Sequence, residues 1–205
     1  MADTPRFWNL IAKRYSRQKI GDPIAYEEKL KRTRALFKPD MRILELGCGT
    51  GGTARLHSKH VAQVHAVDFS HRMVEIARQR SANEGVANVT YEVAFVDDLQ
   101  IEQPFDVVMA MSLLHLLPNW RAVLANIHTY VRPGGYFVSS TVVLESAPLF
   151  LRILLKILRP FGLLPPVQAI PAQVLRDELE MAGFHIVDFW QPKADSAFVI
   201  AQRPA

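Results

Sequence analysis

Apolar residues change their spacing repeatedly along this chain, and each change marks an element. Five short apolar runs, at 42–46, 63–68, 89–93, 105–111 and 136–143, are flanked by turn-forming or polar residues and read as strands. Between them the period lengthens to that of a helix. One helix covers 52 to about 59. A second starts after Ser70, which can cap it, carries Met73, Val74, Ile76 and Ala77 as apolar positions, and stops at Asn83-Glu84-Gly85. A third covers 119–131 and ends in the turn signal Arg132-Pro133-Gly134-Gly135. Strands alternating with helices at this spacing predict parallel β-α units with both faces of the sheet covered.

The two ends of the chain depart from that alternation. Residues 5–38 read as two helices: Phe7, Leu10, Ile11 and Tyr15 recur at helical spacing, Gly21-Asp22-Pro23 breaks the pattern, and Tyr26, Leu30, Thr33 and Leu36 resume it. Residues 144–170 are strongly apolar, with Arg152, Lys156 and Arg159 as a narrow basic stripe before Pro160, Gly162, Pro165 and Pro166. A helix this apolar needs cover. The covers open to 147–161 are the domain's own core, an apolar acceptor pocket, a second copy, or a membrane surface. A last helix, 171–182, ends at Gly183, and 186–190 with 198–201 read as a strand hairpin. The whole is expected to be one domain: a helical lid (1–38), a core (39–143), an apolar insertion (144–170) and a closing helix and hairpin (171–205).

The chemistry concentrates where the first strand meets glycine. Ile43-Leu44-Glu45-Leu46 drives into Gly47-Cys48-Gly49-Thr50-Gly51-Gly52 and then into a helix. Glycine turns the chain at positive φ and lets a ligand lie against bare backbone, with helix N–H groups facing it. Gly47, Gly49 and Gly52 also satisfy a dinucleotide-type G-x-G-x-x-G, a weak signal alone. Asp68 closes the next strand at the distance from the glycines where an acidic side chain can accept ribose hydroxyls. Glu45 is an acid inside a buried strand, so it is expected to face the cofactor pocket or a backbone donor beside it.

These residues resemble the motifs of class I S-adenosylmethionine (SAM) dependent methyltransferases, in the branch that includes the menaquinone and ubiquinone methyltransferases. Glu45 to Gly51 resembles their first motif and Asp68 their ribose-binding acid. Phe105-Asp106-Val107-Val108 followed by Leu114-His115-Leu116-Leu117-Pro118 resembles their fourth-strand motif, and Val131-Arg132-Pro133-Gly134-Gly135 the turn into their fifth strand. The resemblance implies a Rossmann-like, doubly wound α/β fold. Its mostly parallel seven-stranded sheet would have the order 3-2-1-4-5-7-6, with the last strand antiparallel. It implies SAM as cofactor, S-adenosyl-L-homocysteine (SAH) as product and no metal. Gly47, Cys48 and Gly49 would line the methionine moiety with backbone, Glu45 and Gly51 would belong to the same cofactor site, and Asp68 would hold the ribose. Phe69 and Met73 would wall the adenine, Phe95, Val96 and Asp97 would edge it, and Met111 would run beneath the sulfonium. Relatives often place an acid where Phe95 stands, so the contact to the adenine amino group falls to Asp97 or to backbone. His115 is the expected general base and substrate-facing group, its ordinary pKa near ~6.5 suiting proton removal. Tyr15 and Tyr26 on the lid are expected substrate contacts.

Composition narrows the remaining choices. The formal net charge is +4, but residues 1–42 hold eleven Lys/Arg against five Asp/Glu while the rest holds thirteen against fifteen. The basic end reads either as a solvated helical face or as a lid that attracts an anionic substrate or membrane. Nothing resembles a nucleic-acid-reading motif. Met1-Ala2-Asp3-Thr4-Pro5 lacks the apolar stretch of a secretory signal, and no apolar run reaches the ~18 residues that span a bilayer, so a cytoplasmic protein is expected. The single cysteine, Cys48, excludes an intramolecular disulfide and a cysteine-based zinc cluster. Met109-Ala110-Met111-Ser112 stands where adenine and amide N-methyltransferases carry Asn/Asp-Pro-Pro-Tyr/Phe. A small, apolar or amphipathic acceptor remains, methylated on O, C, S or N. Two other readings compete. Tyr15-Ser16-Arg17-Gln18-Lys19 matches the Tyr-x-x-x-Lys of NAD(P)-dependent short-chain dehydrogenases, but it precedes the glycine loop instead of following it. A non-catalytic SAM-binding or partner-stabilising module is the second.

Overall fold

The computed structural model describes residues 5–143 and 167–205. The expected apolar helix 147–161 lies outside the described residues. Two helices open the chain, α1 (Arg6–Tyr15) and α2 (Pro23–Arg34). Asp22 starts α2 by accepting the N–H of Ala25 at 3.0 Å, with Pro23 at the first helical position. Then follow β1 (Arg42–Leu46), α3 (Gly52–Ser58), β2 (Gln63–Asp68), α4 (His71–Asn83), β3 (Val89–Val93), β4 (Phe105–Met111), α5 (Trp120–Tyr130), β5 (Val131–Val142), α6 (Ala172–Met181), β6 (His185–Lys193) and β7 (Ser196–Gln202). Short 3-10 turns at Val96–Asp98 and Leu114–Leu116 lie in the loops after β3 and β4, where the periodicity gave no element.

The strands form one seven-stranded sheet in the order β3-β2-β1-β4-β5-β7-β6, the order the resemblance implies. β1 pairs in parallel with both β2 and β4, and β7 runs antiparallel to β5 and β6. Successive residues of β1 point to opposite faces and build two cores. Leu44 and Leu46 pack with Val123, Leu124 and Ile127 of α5 and Leu175 and Leu179 of α6. Ile43 packs with Ala54 of α3 and Val74 and Ala77 of α4. Each fully buried aliphatic side chain contributes roughly 1.5–3 kcal/mol through water exclusion. Residues 43–46 of β1 therefore have no exposed face, which is why they read as an apolar run interrupted by Glu45 alone.

The turn expected at Arg132–Gly135 is a bulge inside β5. Val131 pairs with Phe105 and Tyr136 with Val107, so the four residues between swell out of the ladder. Asp106 ties this bulge to the start of β1, accepting from Arg42 N–H at 2.7 Å and from Arg132 Nε at 2.6 Å. Pro192 lies in β6, an edge strand, where a missing N–H leaves no central ladder bond unmade. Because the chain passes from β3 at one edge to β4 beside β1, the direction of winding reverses between β1 and β4. The carboxyl ends of those two strands diverge there and open a crevice.

Candidate functional site

A cavity of about 360 Å³ opens at that crevice. Its first wall is the glycine turn, left-handed at Gly47 (φ 68°), Gly49 (φ 53°) and Gly51 (φ 71°). A Cβ on Gly47 would stand 2.8 Å from Leu113 Cδ1, and one on Gly51 2.6 Å from Tyr91 Oη. At Gly49 the closest atom would be Tyr15 Cε1 at 3.9 Å, so its bare main chain faces the space beneath α1.

Asp68 closes β2 beside this turn. Its Oδ2 accepts the Gly49 N–H at 2.9 Å and its Oδ1 the Ser70 N–H at 2.9 Å. Burial raises its pKa, and the two N–H donors pull it back. A carboxylate offers about four lone-pair sites. Two are used by main chain, and one on each oxygen is left for a pair of neighbouring hydroxyls. Beyond Asp68 the cavity turns apolar: Phe69 and Phe95 meet edge to face at 5.7 Å between centroids, above the buried Met73. Val96, Asp97 and Met111 also line the cavity. Asn119 Nδ2, another lining group, donates to Asp97 Oδ1 at 2.9 Å and so fixes that carboxylate.

Helix α1 roofs the opening. Trp8 and Tyr15, two turns apart on one face, line the cavity and contact each other edge to face at 6.1 Å. Asn9 Oδ1 accepts from Ser70 Oγ at 2.7 Å and from Arg72 N–H at 3.2 Å. Ser70 Oγ itself accepts the Met73 N–H, capping α4 as the sequence predicts. At the other end of α1, Arg80 donates to Ser16 O and, at 3.2 Å, to Thr50 Oγ1.

Several expected residues lie off the cavity. Cys48 is buried; its N–H donates to Val67 O at 2.9 Å, and burial holds its thiol well above the ordinary range. Gly51 stands behind the wall, against Tyr91. Tyr26 Oη meets Thr53 Oγ1 at 3.3 Å on the first turn of α3, and is absent from the lining. Glu45 is 2 % exposed, also outside the lining, and its Oε2 has no hydrogen-bond partner. Desolvation pushes its pKa up to about 8, against a stabilising main-chain contact from Ala54 and in step with repulsion from Asp68. At neutral pH this carboxyl is largely protonated.

His115, the expected base, also lies off the cavity. The ring is 6 % exposed and is not part of the lining. Its Nδ1 lies 3.3 Å from the Val142 N–H, which can only donate, so Nδ1 accepts and Nε2 carries the proton. Desolvation lowers its pKa to about 4. A neutral imidazole whose acceptor nitrogen is already occupied is a structural tie between the loop after β4 and β5, not a free base. The loop contributes its neighbours instead: Leu113, Leu116, Leu117 and Pro118 line the cavity. Ser112, also lining, holds a positive φ of 59° and donates its N–H to Ser140 O at 2.7 Å. A non-glycine residue in that conformation is strained, a cost commonly met at functional sites. The apolar residues around His115 were the available signal for this wall, and Trp8, seven before Tyr15, was the signal for the roof.

Residues 43–135 match the family model for a methyltransferase domain. A ubiquinone biosynthesis O-methyltransferase of Xanthomonas euvesicatoria is 37% identical over 103 residues, 49% of this chain and 43% of that protein. A malonyl-[acyl-carrier protein] O-methyltransferase of Bacillus cereus is 36% identical over 103 residues, 49% of this chain and 37% of that protein. The chain thus spans less than half the length of these curated relatives. Among solved structures, one described as a DhpI–SAH complex aligns with a TM-score of 0.76 at 17% identity, covering 98% of this chain and 96% of that one. Among the described residues no group of three His, Cys, Asp or Glu is placed to hold a metal ion, and no helix is long and apolar enough to cross a membrane.

Proposed function

We propose, from the premise that this chain carries the domain of the class I SAM-dependent methyltransferases, that the protein transfers a methyl group from SAM to an oxygen of a small, apolar or amphipathic molecule. The observation that carries the reading is the pairing of Asp68 with the Gly49 and Ser70 N–H groups at the mouth of the glycine turn. That arrangement offers two adjacent acceptor sites to a ribose, next to the bare main chain of Gly47 and Gly49 that lines the cavity. Phe69, Met73 and Phe95 offer flat apolar surface to a base, and Asp97 an acceptor at its edge. SAM, when bound, supplies a methyl already activated on a sulfonium, so the protein's share is binding, alignment and exclusion of water. Trp8 and Tyr15 exclude water from above. Leu113, Leu116, Leu117 and Pro118 give the acceptor an apolar wall. Oxygen as the acceptor atom rests on the O-methyltransferase names of the two curated relatives.

Calorimetry with SAH and with NADH tests the premise: heat with SAH and none with NADH is expected. A methyl-transfer assay over phenols, thiols, quinones and amines tests the rest. Saturable SAH binding without transfer to any of them would favour a non-catalytic module. Transfer to nitrogen or sulfur alone would remove the oxygen assignment.

A further inference from the structure

Helix α2 carries one cation built unlike its neighbours. Arg32 is paired with Glu28 at 2.9 Å and Asp188 at 2.8 Å, and Arg34 with Glu27 at 3.0 Å. Lys29 instead donates from Nζ to the neutral hydroxyl of Ser140 at 2.8 Å. Among the described residues no carboxylate forms an ion pair with it. The carboxylate whose field reaches Lys29, that of Asp22, is already bonded to Lys193 at 2.9 Å and to the Ala25 N–H. Desolvation lowers the pKa of Lys29, with Asp22 opposing the shift. An ammonium drawn partly out of water without a counter-charge destabilises the fold that holds it.

The position gives this arrangement meaning. Ser140 is the register partner of Met111 across β4 and β5, so the two side chains share one face of the sheet. Met111 lines the cavity, as does Ser112, whose N–H is bonded to Ser140 O. Lys29 and Ser140 are not themselves lining groups; they stand next to the lining, on the β5 side of Met111. Its ammonium has three protons, one of them used. Ser140, having accepted from Lys29, still has its own hydroxyl proton, for which the described residues offer no acceptor.

We propose that Lys29 and Ser140 form the receptor for a carboxylate on the methyl acceptor, a substrate-class assignment that rests on the methyltransferase reading above. Two ammonium protons and one hydroxyl proton are left without an acceptor among the described residues, and a carboxylate seated beside them would return the missing counter-charge. The rest of the acceptor lies along Met111 and the Leu113 and Leu116 side chains. The acceptor is thus an apolar acid, and Lys29 sets specificity without taking part in cofactor binding.

The test compares 3,4-dihydroxybenzoate with catechol, which lacks the carboxylate, on wild type, Lys29→Gln and Ser140→Ala, each first shown folded by circular dichroism. Calorimetry on SAH-loaded protein should give wild type a preference of roughly tenfold or more for the benzoate, the scale of one charge-assisted contact. Lys29→Gln should lose that preference while binding catechol and SAH within about twofold of wild type, and Ser140→Ala should lose part of it. Lys29→Arg should restore some. Equal binding of the two probes by wild type, no binding of either, or a preference that survives in Lys29→Gln overturns the assignment. Absence of SAH binding is a different failure, that of the methyltransferase reading. The benzoate preference is then read on the unliganded protein, and its absence there removes the Lys29 receptor as well.

Discussion

The carboxyl ends of β1 and β2 and those of β4 and β5 border one crevice, yet they are built on opposite terms. On the β1–β2 side the polar groups of the turn are matched by main chain within a short stretch of sequence: Gly49 and Ser70 N–H to Asp68, Cys48 N–H to Val67 O. On the β4–β5 side the groups are borrowed from afar. Lys29 reaches Ser140 across 111 positions, Gln168 N–H reaches His115 O, and Ser112 is held in a strained turn. A wall built from local backbone suits a ligand that does not vary. A wall assembled from distant side chains can be altered one residue at a time, as a change of acceptor requires.

The largest effect that would break this contrast belongs to Gly51→Ala. A Cβ there meets Tyr91 Oη at 2.6 Å and Ala77 Cβ at 2.9 Å in a left-handed conformation. Strain and overpacking together should lower the unfolding free energy by ~3 kcal/mol, read by denaturant titration. A variant as stable as wild type would show that the turn is less rigid than described. Next comes Glu45→Gln. The folded protein keeps a proton on Glu45 up to about pH 8, whereas the unfolded chain releases it near its ordinary value of about 4.5. The stability tied to that proton is whole below the ordinary value and is lost as pH rises through the folded one. Glutamine cannot ionise, so the variant should gain on the order of 2–4 kcal/mol at pH 8 and nothing at pH 4.5. A Glu45→Gln variant that gains no more over wild type at pH 8 than at pH 4.5 would contradict it.

Asp68→Asn should weaken SAH binding by roughly 10–100-fold in calorimetry while the protein stays folded, because an amide keeps one acceptor and loses the charge. Unchanged affinity would move the ribose elsewhere. The smallest effect on turnover belongs to His115→Gln, which should leave methyl transfer within ~3-fold, since the ring is neutral and tied to Val142. A loss beyond ~100-fold would restore the general base. The same histidine marks acid sensitivity. Its folded pKa of about 4 lies below the ordinary value, so its contribution to stability is whole above ~6.5 and is lost as pH falls toward the folded value. Wild type should lose stability over that window and the variant less.

This contrast also explains what could be read in the sequence. The strands at 42–46, 63–68, 89–93 and 105–111 match the structure at both ends: β1, β2 and β4 are largely buried in the parallel sheet, and β3, at its edge, keeps the alternation that buries Tyr91. The Arg132–Gly135 bulge reads as a turn since proline and glycine give the same local signal in either setting. The β1–β2 side of the site was legible because Gly49 and Asp68 are separated by one β-α-β unit, 19 positions, and its turn glycines hold a left-handed backbone that favours glycine. The β4–β5 side was not. A histidine in a promising place carries no mark of the Val142 N–H that occupies it, and Lys29 belongs to no motif. Tyr26 has the right helix but is turned toward Thr53, a choice that periodicity cannot encode.

Ser70 is the junction where three of these contacts meet. Its N–H steadies Asp68, its hydroxyl begins α4, and that same hydroxyl is held by Asn9 from the roof. Any tilt of the first helix is therefore transmitted to Asp68, the carboxylate proposed above to hold the ribose. On that proposal, amino acids in the first two turns of α1 act as a remote part of the nucleoside clamp, and damage to that helix would be registered first as a looser grip on adenosine.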